Sequence, residues 1–218
     1  MTALLSVSGL TKRFGGLVAL EDVSFELEAG SMVGIMGANG AGKTTLFSLI
    51  AGNVAPSTGD IVFAGRSIAG RRPDRICRMG VARTFQIVRP VPALTVHVLE
   101  EIGLADVAHR RASTLTLSGQ KRLEVARAIA TGAQLILLDE VMAGLTPVEV
   151  TQMLDTLRRV QASRGLTLLV IEHVMRALMD LCSRIVVLHH GRLIAEGDPQ
   201  QIGRDERVLS VYFGSSNE

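Results

Sequence analysis

Residues Gly37 to Thr44 read GANGAGKT and fit the pattern G-x-x-x-x-G-K-[ST]. An apolar run, Met32 to Met36, precedes them and TTLFSLIAG follows, so the pattern sits between a predicted strand and a predicted helix, where a phosphate loop belongs. Gly37, Gly40 and Gly42 let backbone N–H groups converge on phosphate oxygens, and Asn39 and Thr45 belong to the same binding loop. Lys43 has the reach for the β- and γ-phosphates, and the Thr44 hydroxyl is a ligand for Mg²⁺. This is a nucleotide site.

Leu135 to Glu140 reads LILLDE, a buried strand with an acidic end. Asp139 there is a metal ligand beside the phosphates. Glu140 next to it can orient or deprotonate a water for attack on the γ-phosphate. Alone, such a pair could simply cap an exposed strand end; together with the phosphate loop it points to hydrolysis.

A third signal is LTLSGQKRLEVAR, Leu115 to Arg127. Ser118 and Gly119 open a predicted helix that carries Lys121 and Arg122 in its first turn. Basic residues usually lie at a helix C-terminus; at the N-terminus they add to a positive pole. Such an end is built to meet an anion. It predicts a second anion contact, distinct from the first.

The surrounding elements are those of an α/β domain. Val23 to Gly37 first alternates and then runs apolar, while Leu135–Leu138, Leu166–Ile171 and Arg184–Leu188 are short apolar runs suited to a parallel sheet covered on both faces. Thr146-Pro147-Val148-Glu149 is a capping box, followed by the helical stripe Val150, Met153, Leu154 and Leu157. With 218 residues, one domain is expected. A net charge of +2, 3% aromatics and no Trp exclude a typical nucleic-acid binder. Cys77 and Cys182 have no metal-type spacing and are expected to be reduced. No signal peptide or membrane-length apolar run is evident, so a soluble, cytosolic chain is expected. A mean hydropathy of +0.33 is high for a chain that never meets a partner.

The order of these motifs resembles the ATP-binding cassette (ABC) family along essentially the whole chain: the phosphate loop, Gln86, Ser118-Gly119-Gln120, Asp139-Glu140, then His173. Any one of these residues says little; their joint order is specific. The resemblance implies a mainly parallel core sheet, an antiparallel β subdomain, and a helical subdomain at about residues 87–131, here shortened. It implies ATP and Mg²⁺ as ligands and Phe14 stacked on adenine. Gln86 would sense the metal and the membrane partner, and His173 would hold the γ-phosphate. Ser118, Gly119 and Gln120 would complete the site of the opposite subunit, with Ala143 to Thr146 at the dimer seam.

Within the family, VARTFQ (Val81 to Gln86), LDEVMAGLTPVEV (Leu138 to Val150), the stretch Val170 to Pro199 and the tail after it resemble ATP-binding subunits of branched-chain amino-acid transporters. Such subunits form two-fold ATP sandwiches beneath two permease subunits fed by a binding protein, on the cytoplasmic face of the membrane. Amide, urea and lipid transporters share much of the pattern. A soluble ATP-gated clamp is the reading from another class, although clamps usually carry two cassettes or a long insertion. A small-molecule kinase has no use for Ser118-Gly119 or His173.

Three features depart from the family pattern. Val141 replaces a proline, and Thr146 replaces an Asp or Asn at the seam. The signature reads L-S-G-Q, one residue short, and the region before it is several helical turns short. A residue lost inside a helix turns everything after it by about 100°. That predicts a chain break, with Cα atoms well beyond the ~3.8 Å of a trans peptide, between Leu94 and Glu101 or between Leu117 and Gln120.

Overall fold

The computed structural model describes residues 3–84 and 96–213. Alternating apolar residues make Leu5–Phe14 (β1) and Leu17–Leu27 (β2) an antiparallel pair with one buried face. Thr58–Phe63 (β4) and Arg66–Ser67 (β5) extend it into a four-stranded sheet of order β2-β1-β4-β5. A turn at Glu28–Ser31 separates β2 from Met32–Met36 (β3), so Val23–Gly37 feeds two different sheets.

The second sheet has six strands. Val81–Arg83 (β6), Leu135–Asp139 (β7), Thr167–Ile171 (β8), β3 and Arg184–His189 (β9) are mutually parallel, and Arg192–Gly197 (β10) closes one edge antiparallel. Its central strands are apolar on both faces, as a covered parallel sheet requires. Leu135, Leu137, Leu169, Ile171, Val186 and Leu188 face the antiparallel sheet and the helix Lys43–Ile50 (α1). Ile136, Leu138, Leu168, Val170, Ile185 and Val187 face the opposite core. There they meet helices Leu117–Ala130 (α4), Pro147–Arg164 (α5) and Met175–Leu181 (α6).

The helix α5 begins at the expected capping box: the Thr146 hydroxyl accepts from Glu149 N–H while the Glu149 carboxylate accepts from Thr146 N–H. Its stripe packs inward through Met153, Leu154 and Leu157, with Val150 half-buried beside them. Helix Pro73–Met79 (α2) leads into β6. The described part of the region before α4 holds one short helix, Val96–Glu101 (α3), and single 3₁₀ turns at Ala105–Val107 and Ala112–Thr114.

Through Leu117–Gln120 helix α4 is continuous, with Gln120 N–H on the Thr116 carbonyl at 2.9 Å. Thr116 is the N-cap, accepting from Gly119 N–H at 3.2 Å, so the helix opens two residues earlier than the Ser-Gly pair suggested. The other window, 94–101, lies partly outside the described residues. Cys182 is buried and Cys77 half-buried, neither in a disulfide, and burial pushes the Cys182 thiol up to about 12.

Candidate nucleotide site

Strands β3, β6, β7 and β8 all end on the same edge of the parallel sheet, and β6, β7 and β8 each deliver polar residues there. The carboxyl edge of such a sheet is where ligands bind in open α/β folds. From β3 the chain enters the phosphate loop. Glycine is required at two of its positions by packing: a Cβ on Gly37 would lie 2.6 Å from the Leu188 carbonyl oxygen, and one on Gly42 would lie 2.6 Å from Leu20 Cδ2. Gly42 also has φ +103°, a conformation that side-chain-bearing residues rarely adopt.

Lys43 opens α1 and is buried, its Nζ donating to the Gly37 and Ala38 carbonyls at 2.6 and 3.0 Å. Burial lowers its pKa, and the nearby charges of Glu140 and Asp139 partly offset that. A phosphate oxygen would offer this ammonium a charge-assisted bond stronger than either carbonyl gives.

A cavity of about 330 Å³ opens above the loop. Phe14, Asn39, Gly40, Gly42, Lys43, Thr44 and Thr45 line it, together with Glu140 and His173. Phe14 ends β1 and is 47% exposed, with the Lys12 ammonium 4.8 Å from its ring centroid, so one ring face is open for stacking. Across the cavity, His173 Nε2 and Glu140 Oε1 are 2.7 Å apart. They come from adjacent parallel strands, β7 and β8, whose register pairs Asp139 with Ile171.

Asp139 is held by residues at the end of β6. Its N–H donates to Thr84 Oγ1 at 3.0 Å, and Arg83 Nη2 meets its Oδ2 at 2.5 Å in a largely buried ion pair. The same guanidinium donates to Ser48 Oγ at 3.2 Å and lies over the Phe47 ring on α1. Strand β6 therefore ties the acidic strand end to the helix behind the phosphate loop. Gln86 lies outside the described residues.

Ser118, Gly119 and Gln120 are not among the residues lining this cavity. They form the first turn of α4, where Ser118 is 7% exposed while Thr116 and Leu117 face solvent. The first turn leans on the loop after β7: Lys121 Nζ donates to the Glu140 carbonyl at 3.2 Å, and a Cβ on Gly144 would touch Leu117. Among the described residues no cluster of three or more metal-type side chains exists, and no helix is long and apolar enough to cross a membrane.

A phosphate loop, an acidic strand end and a histidine gathered on one cavity describe an ATPase site, and comparison with known proteins identifies its family. Residues 20–143 match the family model described as ABC transporter. The chain belongs to the ABC transporter family. Residues 192–216 also match a model described as branched-chain amino acid ATP-binding cassette transporter. The chain is 34% identical to the high-affinity branched-chain amino acid transport ATP-binding protein BraF of Pseudomonas aeruginosa, over 98% of each chain. It is 35% identical to the corresponding protein LivG of Escherichia coli, again over 98% of each. A solved ATP-binding cassette of an ABC transporter in its ADP conformation superposes with a TM-score of 0.89 at 25% identity, covering 99% of this chain and all of that one. The LivG alignment runs over 251 positions, against 218 residues in the chain.

Four residues of the site escape a reading of motifs. Thr116 is hidden by the Ser-Gly pair after it. Arg83 and Thr84 lie inside VARTFQ, and the signal there was an arginine ending an apolar strand. Glu172 stands between an apolar strand and His173, 4% exposed, and burial pushes its carboxyl up to about 7. Between about pH 4.5, where the unfolded carboxyl ionises, and pH 7 the native protein retains a proton that the unfolded chain has lost. Stability therefore falls as pH rises through this window. Relative to Glu172→Gln, the parent should lose about 3 kcal/mol, by the conversion of 1.36 kcal/mol per pKa unit. Urea unfolding of both proteins at pH 5 and pH 7.5 measures it; parallel changes in the two would contradict the assignment.

Proposed function

We propose that this ABC ATPase is the energising subunit of an importer for branched-chain or other hydrophobic amino acids. It works paired with a second ATP-binding subunit, identical or related, beneath two permease subunits on the cytoplasmic face of the membrane. A substrate-binding protein feeds the permease. The observation that carries the reading is the single cavity that joins Lys43 to the Glu140–His173 pair. The relatives named for branched-chain amino acid transport supply the cargo class.

Phe14 stacks on the adenine, and the loop's N–H groups with Lys43 hold the phosphates. The Thr44 hydroxyl and the Asp139 carboxylate are hard oxygen donors and fit Mg²⁺. When bound, the ion neutralises charge on the β- and γ-phosphates. Glu140 orients and deprotonates the attacking water, and His173, hydrogen-bonded to it, contacts the γ-phosphate. Gln86 links the metal to the permease. The start of α4 serves the nucleotide of the opposite subunit. There Ser118, Gly119 and Gln120 provide the turn, and the exposed Thr116 hydroxyl caps it.

Proteoliposomes holding the chain with its permease and binding protein test the proposal. ATP-driven uptake of labelled leucine, isoleucine or valine is expected, with none in a Lys43→Ala complex. A complex that assembles and hydrolyses ATP but moves none of the three would refute the cargo class. A chain that never co-purifies with permease subunits in detergent would instead favour a soluble clamp.

A further inference from the structure

Glu140 has φ +50°, a left-handed backbone that is strained for a residue with a side chain. Such strain persists only where the surroundings over-determine it. Three restraints act on it. Glu140 N–H donates to the Ile171 carbonyl at 2.9 Å, and Lys121 holds the Glu140 carbonyl from α4. The third restraint is Met142 N–H, which donates to Glu172 Oε1 at 2.8 Å.

That last contact is costly to build. A carboxyl group with 4% exposure gives up most of its hydration, where an apolar residue would simply extend the β8 run. Its acceptor fastens the turn after Glu140 directly to the end of β8. The next residue on that strand end is His173, whose ring meets the Glu140 carboxylate. One strand end thus grips Glu140 twice, at the carboxylate through His173 and at the following turn through Glu172.

We propose that Glu172 is a positioning residue for ATP hydrolysis: by accepting from Met142 N–H it holds the left-handed turn that presents the Glu140 carboxylate to His173 and the attacking water. The inference rests on Glu140 as the base of the proposed function. It needs only an oxygen acceptor at position 172, and either protonation state supplies one. Removing it lets the turn relax, and displacement of a catalytic group by about 1 Å can cost on the order of 10²-fold in rate.

Three variants of the full chain, Glu172→Ala, Glu172→Gln and Glu140→Gln, should be compared for steady-state ATPase rate and for affinity toward a fluorescent ATP analogue. Glu172→Ala is expected to lower kcat by about 30- to 100-fold with analogue affinity unchanged. Glu172→Gln retains the acceptor and should stay within about threefold of the parent, because a neutral amide oxygen accepts the same bond. Full turnover in Glu172→Ala would overturn the proposal. So would loss of turnover in a folded, nucleotide-binding Glu172→Gln, since the charge would then matter and not the brace. If Glu172→Ala does not fold, Glu172→Leu, which fills the buried space without an acceptor, is read in its place with the same expected loss of turnover. Parent-rate hydrolysis by Glu140→Gln would instead remove the base assignment, and so separates failure of that reading from failure of this one.

Discussion

Glu140→Gln is expected to bind ATP within a few-fold of the parent and to hydrolyse it about 10³-fold more slowly. The magnitude is that of a general base, which contributes about 10²–10⁴-fold. Glutamine has the same size and retains an oxygen for His173, so the 2.7 Å contact can survive as a hydrogen bond while the proton acceptor is lost. Binding is spared because the phosphate loop and Lys43 are untouched. Phosphate release under saturating ATP measures the rate, and equilibrium dialysis measures the affinity. A parent-like rate would mean that another group activates the water.

The second large effect is expected at the start of α4. Thr116→Arg places a long cation at an exposed helix cap that lies outside its own cavity, so each variant monomer still binds ATP. Pairing of two cassettes over ATP should fail, and turnover should fall to background. Ser118 is less suited to the test because it is buried, and arginine there would disturb folding as well. Mixing Thr116→Arg with Lys43→Ala chains should restore activity. In a mixed pair one site takes its phosphate loop from the Thr116→Arg chain and its helix start from the Lys43→Ala chain, and is intact. Mixed pairs that form yet remain inactive at every ratio would argue against composite sites that work independently.

How much of this was legible in the sequence depends on how far the chemistry is spread along the chain. The phosphate loop and LILLDE were readable because each motif is contiguous and flanked by a strand signal. The parallel sheet was readable because apolar runs without alternation suit strands covered on both faces. The Glu140–His173 contact was not derivable locally: all of α5 separates β7 from β8, and only the parallel register brings their ends together. Arg83 was missed for the same reason, since it meets Asp139 across 56 residues of chain. At α4 the error was one of boundary. A helix start read from composition is uncertain by two residues or more, and here Thr116 competed successfully with Ser118 for the cap.

The most direct test of the account is a crystal structure of Glu140→Gln bound to Mg²⁺ and ATP. The account predicts two chains related by a two-fold axis, with the γ-phosphate held between Lys43 of one chain and the Thr116–Gly119 turn of the other. It also predicts the adenine on Phe14 and the Glu172–Met142 contact intact. A γ-phosphate contacted by one chain only, and open to solvent on the face where the second helix should lie, would contradict it.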